Sequence, residues 1–327
     1  MTSEPLPELL IVVDTEEEFD WSKPFSRSNV ATSSIPAQAR AHEIYDRFGV
    51  VPTYVVDYPV ATDAEAVRFL RCLRDSGKAE IGAHLHPWVT PPHLEEVTTC
   101  NSYHCNLAPE LERAKIEALT GVIERAFRER PNIFKAGRYG FGPNTLRVLC
   151  DLGYQVDCSF VPHTDLSGDG GPDYRGVHDA PHWLDQGRGL LEVPLTVGFL
   201  GSLAGFGARA GWLFDSPGAG RLRVPGVLAR AGLVARSRLT PEGTPADEQC
   251  RLITAMAAAG HRTFSLTYHS PSLEPGHTPY VKSEADLARF LGSIETVLAF
   301  FRDQLGGRFT TLSQVRRDFG EGRRAAA

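Results

Sequence analysis

The side chains best suited to chemistry in this chain are acids and imidazoles that follow short apolar runs. Asp14 and Glu16 stand in VVDTEEEFDW, His84 and His86 in EIGAHLHPW, Arg138 in KAGRYGFG, Asp157 in QVDCSF and His269 in SLTYHSPS. In an extended segment, residues two apart point the same way, so His84 and His86 face together while Leu85 faces opposite. Two neutral imidazoles and one carboxylate make a common catalytic zinc set, with a fourth position left for water. Glu16 or Asp14 can supply that carboxylate, and the two share a face if the strand continues. Asp14 directly ends a strongly apolar strand, where a solvent-seeking acid is out of place. Glu17 and Glu18 read instead as a solvated acidic turn. A buried Arg138 would need a carboxylate partner, and Asp14 is the obvious one. His269 lies between a strand and Pro271 and is a fixed imidazole, while His93 and His104 are reserve ligands.

The elements that must position these groups alternate in type. Apolar, β-branched runs at 9–13, 52–56, 79–83, 133–136, 154–159, 190–195 and 263–268 read as strands, and 309–312 offers an eighth. Their near-continuous apolar character points to strands covered on both faces, as in a parallel sheet. Helical patterns fill the intervals at 35–48, 63–76, 108–130, 143–152, 245–259 and 283–304. Pro109 opens the clearest of them, and Pro131 stops it. The alternation predicts one α/β domain over 1–319, a (β/α) barrel of seven or eight strands. Its strand-end loops would gather the acids and imidazoles at one rim. A Gly- and Arg-rich segment, 199–245, interrupts the rhythm as an insertion, and 320–327 reads as a frayed tail.

The bulk numbers set limits on function. The chain has 327 residues and a net charge of −6, which does not advertise a nucleic-acid partner. No export signal is visible at the start and no run approaches a membrane span, so a cytoplasmic location is expected. The six cysteines show no Cys-x-x-Cys pairing and read as buried or incidental thiols. The 224–239 stretch mixes apolar and basic residues in a way that suits an interfacial helix in peripheral contact with a membrane, or equally a lid.

The motifs VVDTEEEFDW, PTYVVDYP, EIGAHLHPWVTPP, GRYGFGPNTL, DCSFVP and YHSPSLEPGHTPYV together resemble the NodB-homology polysaccharide deacetylases, carbohydrate esterase family 4. More narrowly, the chain looks like the WalW-type branch. The resemblance covers roughly 8–195 and 262–315, and it implies a distorted (β/α) barrel holding a divalent ion, usually zinc. It further implies Asp14 as catalytic base, Glu16, His84 and His86 as metal ligands, and Arg138 as the group that orients the base. Tyr139 would supply an oxyanion N–H, and Asp157 would steady His269 as the acid. Trp88 stands where the family commonly places its second histidine, and it could stack on a sugar, as could Trp21, Tyr139 and Phe141. The expected activity is N-deacetylation of a sugar or glycan precursor of the cell-surface polysaccharide or lipopolysaccharide type. The same residues also allow a metal-dependent amidohydrolase of a non-sugar amide or imide, or an inactive glycan-binding protein.

Overall fold

The computed structural model describes residues 5–207, 214, 226, 228 and 231–322. Its centre is a curled sheet whose strands run β1 (Glu8–Thr15), β2 (Thr53–Val56), β3 (Glu80–Leu85), β4 (Ile133–Ala136), β5 (Val156–Asp157), β6 (His182–Asp185), β7 (Leu190–Glu192), β8 (Val197–Leu200), β9 (Ala235–Arg238), β10 (Thr263–His269) and β11 (Arg308–Phe309). The main sheet has nine strands, in the order β10-β1-β2-β3-β4-β5-β7-β6 with β11 also on β1. All neighbours are parallel except the β6–β7 pair. Around it lie α1 (Ala39–Phe48), α2 (Tyr58–Thr62), α3 (Ala64–Asp75), α4 (Pro109–Phe127), α5 (Pro143–Leu152), α6 (Ala246–Ala258), α7 (Glu284–Asp303) and α8 (Leu312–Gly320).

Side-chain parity splits the strands between two apolar layers. Leu9, Ile11 and Val13 of β1 pack into the large core under the helices, with Ala83, Leu85, Phe134, Ala136, Phe264, Leu266 and Tyr268. Leu10 and Val12 face the concave side, with Val55, Ile133, Val156, Cys158, Leu191 and Val193. Leu312 and Val315 of α8 join this inner layer. They close the end where the strands begin, and Thr311 there donates to Glu80 Oε1 at 2.7 Å.

The sequence missed β6 and the β8–β9 pair. The 199–245 segment opens and closes as that antiparallel hairpin, with Val197 opposite Arg238. Its first and last strands lie against the barrel. Leu239 N donates to Thr196 O at 3.0 Å, and Thr267 N of β10 donates to Leu239 O at 3.2 Å. The hairpin thus follows β7 in the chain and lies against β10, which with β6 is one of the two edge strands between which the main sheet stays open. Most of the segment between its strands lies outside the described residues, including Arg209, Arg221, Arg223 and Arg230. The interfacial helix expected over 224–239 lies partly there too, and its end is strand. The tail from 323 onward is also outside. Among the described residues no helix is long and apolar enough to cross a membrane. All six cysteines are free.

Candidate active site

The inner-face parity that buries Leu10 and Val12 carries on to Asp14, one layer nearer the carboxyl ends of the strands. The same alternation makes Lys135 follow Ile133 and His269 follow Ser265 and Thr267. Strand register then sets these groups side by side: Asp14 lies opposite His269, and His84 opposite Lys135. One polar layer therefore caps the apolar interior, at the face where the strand-end loops meet.

Within it, Glu16, His84 and His86 place one ligand atom each within 4.8 Å of one another, all buried. His84 Nδ1 donates to the Lys135 carbonyl at 3.1 Å, and His86 Nδ1 donates to Glu17 Oε2 at 2.7 Å. Each ring therefore turns Nε2 toward Glu16 Oε2, at 3.5 and 3.4 Å, too long for good hydrogen bonds. Burial pushes both imidazole pKa values down to about 4, which keeps the rings neutral and the Nε2 lone pairs bare. Burial also raises Glu16 to about 7, and its Oε1 is buried without a partner. A single proton could satisfy one of these lone pairs, whereas a divalent cation satisfies them together. The donor set, two neutral imidazoles and one carboxylate, suits a divalent metal ion.

Glu17 corrects the reading of a solvated turn. It is fully buried, and besides holding His86 it accepts from Trp88 Nε1 at 2.7 Å. Its own N–H donates to Asp57 Oδ2 at 2.6 Å, and Asp57 Oδ1 caps α2 by accepting from Val60 N. Carboxylates behind ligand imidazoles fix the tautomer and raise ligand basicity. Trp88 is correspondingly not a substrate platform. It is 2 % exposed and stacks between His86 and Phe25, with ring centroids 4.3 Å away on each side.

The expected pairing of Arg138 with Asp14 is not formed. Lys135 Nζ lies 2.6 Å from Asp14 Oδ1, while Arg138 turns outward to Ser102 Oγ at 2.6 Å and Asp169 at 3.3 Å. Arg138 and Tyr139 both have positive φ, 51° and 62°, so the chain turns away from the sheet directly after Gly137. Burial works to raise the Asp14 pKa, but Lys135, His84 and His269 outweigh it and hold the carboxylate below its usual range.

Asp157 is likewise not the partner of His269. Its neighbours Val156 and Cys158 face the inner layer, so Asp157 points to the opposite side of the sheet. There it accepts from Ser159 Oγ at 2.7 Å and interacts with Glu192. His269 is held instead by Glu242, from the segment after β9. Glu242 Oε2 accepts from His269 Nδ1 at 2.7 Å, and Oε1 accepts from His269 N at 3.1 Å and from Ser272 Oγ at 2.5 Å. Burial opposes protonation of His269, but Glu242, Glu16 and Asp14 overcome it and raise its pKa well above the ordinary value. His269 Nε2 faces Asp14 Oδ2 at 3.8 Å. The reserve ligands stay apart: His93 is exposed, and buried His104 donates to Glu112 Oε1 at 2.9 Å.

The mouth above this layer is aromatic. Trp21 meets His269 edge-on at 5.0 Å and Tyr280 at 5.8 Å, and the Tyr139 ring centroid lies 5.8 Å from Lys135 Nζ. Phe141 packs against Phe160, 5.3 Å away, rather than lining the opening.

No family model matches the chain, and no curated protein matches it. Among solved structures, an allantoinase, PuuE, shares 14% identity over 98% of this chain and 92% of its own, with a TM-score of 0.55. A protein assigned as a polysaccharide deacetylase from Mycobacterium smegmatis shares 16% identity over 99% of this chain and 94% of its own, with a TM-score of 0.52. At these identities the likeness concerns architecture, and it establishes that the chain has the (β/α)-barrel fold of the NodB-type polysaccharide deacetylases.

Proposed function

We propose that this chain is a metal-dependent N-deacetylase of an acetylated sugar or glycan precursor, of the WalW type that its motifs resemble. One observation carries the reading: the bare lone pairs of Glu16, His84 and His86 converge beside a carboxylate and an imidazole that are each locked by an opposite charge. A divalent ion held by those ligands, with zinc best suited to the set, would supply Lewis acidity toward an acyl carbonyl. Asp14, held by Lys135, accepts the proton of the attacking water. His269, held by Glu242, protonates the departing amine at Nε2. The Tyr139 N–H donates to the oxyanion as the carbonyl becomes tetrahedral, an interaction typically worth ~2.7–4 kcal/mol. Arg138 and Asp157 carry no chemical role in this scheme. The Trp21 and Tyr280 rings at the mouth suit the apolar face of a pyranose. Bond making and breaking yields acetate and a free amino sugar.

Elemental analysis of wild type beside His84→Ala and His86→Ala tests the ligands, and acetate release from N-acetyl sugars tests the reaction. We expect near-stoichiometric metal in wild type, its loss in both variants, and acetate formed only by metal-loaded protein. Metal binding with turnover confined to cyclic imides or formyl amides in the same panel would move the assignment to a non-sugar amidohydrolase. Protein that binds no metal yet retains glycans would be a binding protein.

A further inference from the structure

The proposed reaction leaves a cation at the mouth without a task. Arg238 ends β9, and its backbone is fixed: the next residue, Leu239, accepts from Thr267 of β10 two positions before His269. Strand alternation buries Ser237 and turns Arg236 and Arg238 to the other side, toward the loop that follows β5. Arg236 Nη1 donates to His163 O there at 2.6 Å. Among the described residues, Arg238 Nη2 reaches the Thr164 hydroxyl, at 3.5 Å, and pairs with no carboxylate. A partly buried guanidinium without a counter-charge gives up hydration with little in return.

It also lies within electrostatic reach of the active-site opening. Arg238 acts electrostatically on the Tyr280 phenol, as do Glu242 and Tyr139, and Tyr280 is 41% exposed beside Trp21. The other rim cation, Arg138, is already neutralised by Asp169 at 3.3 Å and stacked 4.2 Å above the Tyr103 ring. We propose that Arg238 forms a subsite for an anionic group, a carboxylate or a phosphate, carried by the acylated sugar substrate. The inference rests on the sugar reading above and narrows its substrate class to acidic or phosphorylated N-acetyl sugars. A planar guanidinium recognises either anion in bidentate fashion.

Calorimetric titration of the metal-loaded full chain with N-acetylglucosamine, its 6-phosphate and N-acetylmuramic acid tests this at position 238, in wild type, Arg238→Lys and Arg238→Gln, each on an Asp14→Asn background that removes the proposed base. At least one anionic sugar should bind about tenfold more tightly than the neutral one. That preference should shrink in Arg238→Lys and fall to about parity in Arg238→Gln. Preference for the phosphate alone, the carboxylate alone, or both identifies the anion accepted. Equal binding of all three sugars by wild type, or a preference undiminished in a folded Arg238→Gln protein, overturns the subsite. Because binding is read without turnover, the two readings fail separately. Arg238-dependent preference without acetate release removes only the hydrolase. Acetate release without any preference removes only the subsite.

Discussion

Glu17 touches no substrate-facing space, yet its two oxygens fix both His86 and Trp88. Replacing it with Gln leaves one acceptor for two N–H donors, so one of them must face an amide N–H. Glu17→Gln is therefore expected to weaken the affinity for a divalent metal by roughly 10–100-fold with Glu16, His84 and His86 intact. Competition against a chromophoric chelator measures this, and unchanged affinity would strip Glu17 of its role. Glu242→Gln removes the largest of the influences that raise the His269 pKa, so the alkaline limb of the rate profile should move to lower pH. An alkaline limb that stays put would mean another group is the acid. The cluster of Glu16, His84 and His86 was legible in the sequence because its members sit at the ends of recognisable strands. Lys135 left a signal that went unused: a lysine between Phe134 and Ala136 in a buried strand needs an acid. Glu242 left none, since it lies 27 residues from His269 in sequence and only the folded hairpin brings it there.

Strand parity at the element scale decides which acids reach the site. Val156-Asp157-Cys158 and Leu191-Glu192-Val193 both turn their apolar members inward, so their acids cannot join Asp14. That alternation is written in the sequence, and motif order alone obscured it by lining up Asp157 with His269. The β3–β4 contact is similarly exacting. A Cβ on Gly137 would lie 2.4 Å from Leu85 O and 2.5 Å from His86 Cδ2. One of those contacts is backbone, so the strands must part or the ligand ring must shift. Gly137→Ala is expected to cost ~1–3 kcal/mol of stability and to lower metal occupancy. Denaturant melts of the metal-free protein together with metal titration check both effects. A variant as stable and as metal-replete as wild type would show that β3 and β4 yield more freely than their packing indicates.

Across the whole molecule, the sheet is open between its edge strands β6 and β10, and the hairpin that follows β7 and lies against β10 delivers Glu242 and Arg238 to the mouth. Fold and alternation were visible before the structure, but the hairpin's placement was not, because a Gly- and Arg-rich segment has no periodicity to read. At that open end, Asp157 and Glu192 are buried on the helix side. Burial first, then their mutual interaction, pushes Glu192 well above the usual carboxylate range, and burial also raises Asp157. Glu192 Oε1 accepts from Phe160 N at 3.0 Å, while Oε2 has no partner unless it carries the proton itself. A raised native pKa means that the folded state binds more protons than the unfolded chain, where a Glu titrates near ~4.3. This contribution is full below that value and is lost as pH climbs through the native pKa. Glu192→Gln reproduces the protonated acid, with an acceptor for Phe160 N and a donor for Asp157. Its melting temperature should match wild type near pH 4 and exceed it increasingly as pH rises. The variant keeps some slope of its own, because Asp57 is raised by burial in the same direction. Thermal melts of both proteins across pH 4–9 decide the matter: parallel curves would mean that Glu192 is ionised in the folded protein, with its charge stabilised by a group other than Asp157.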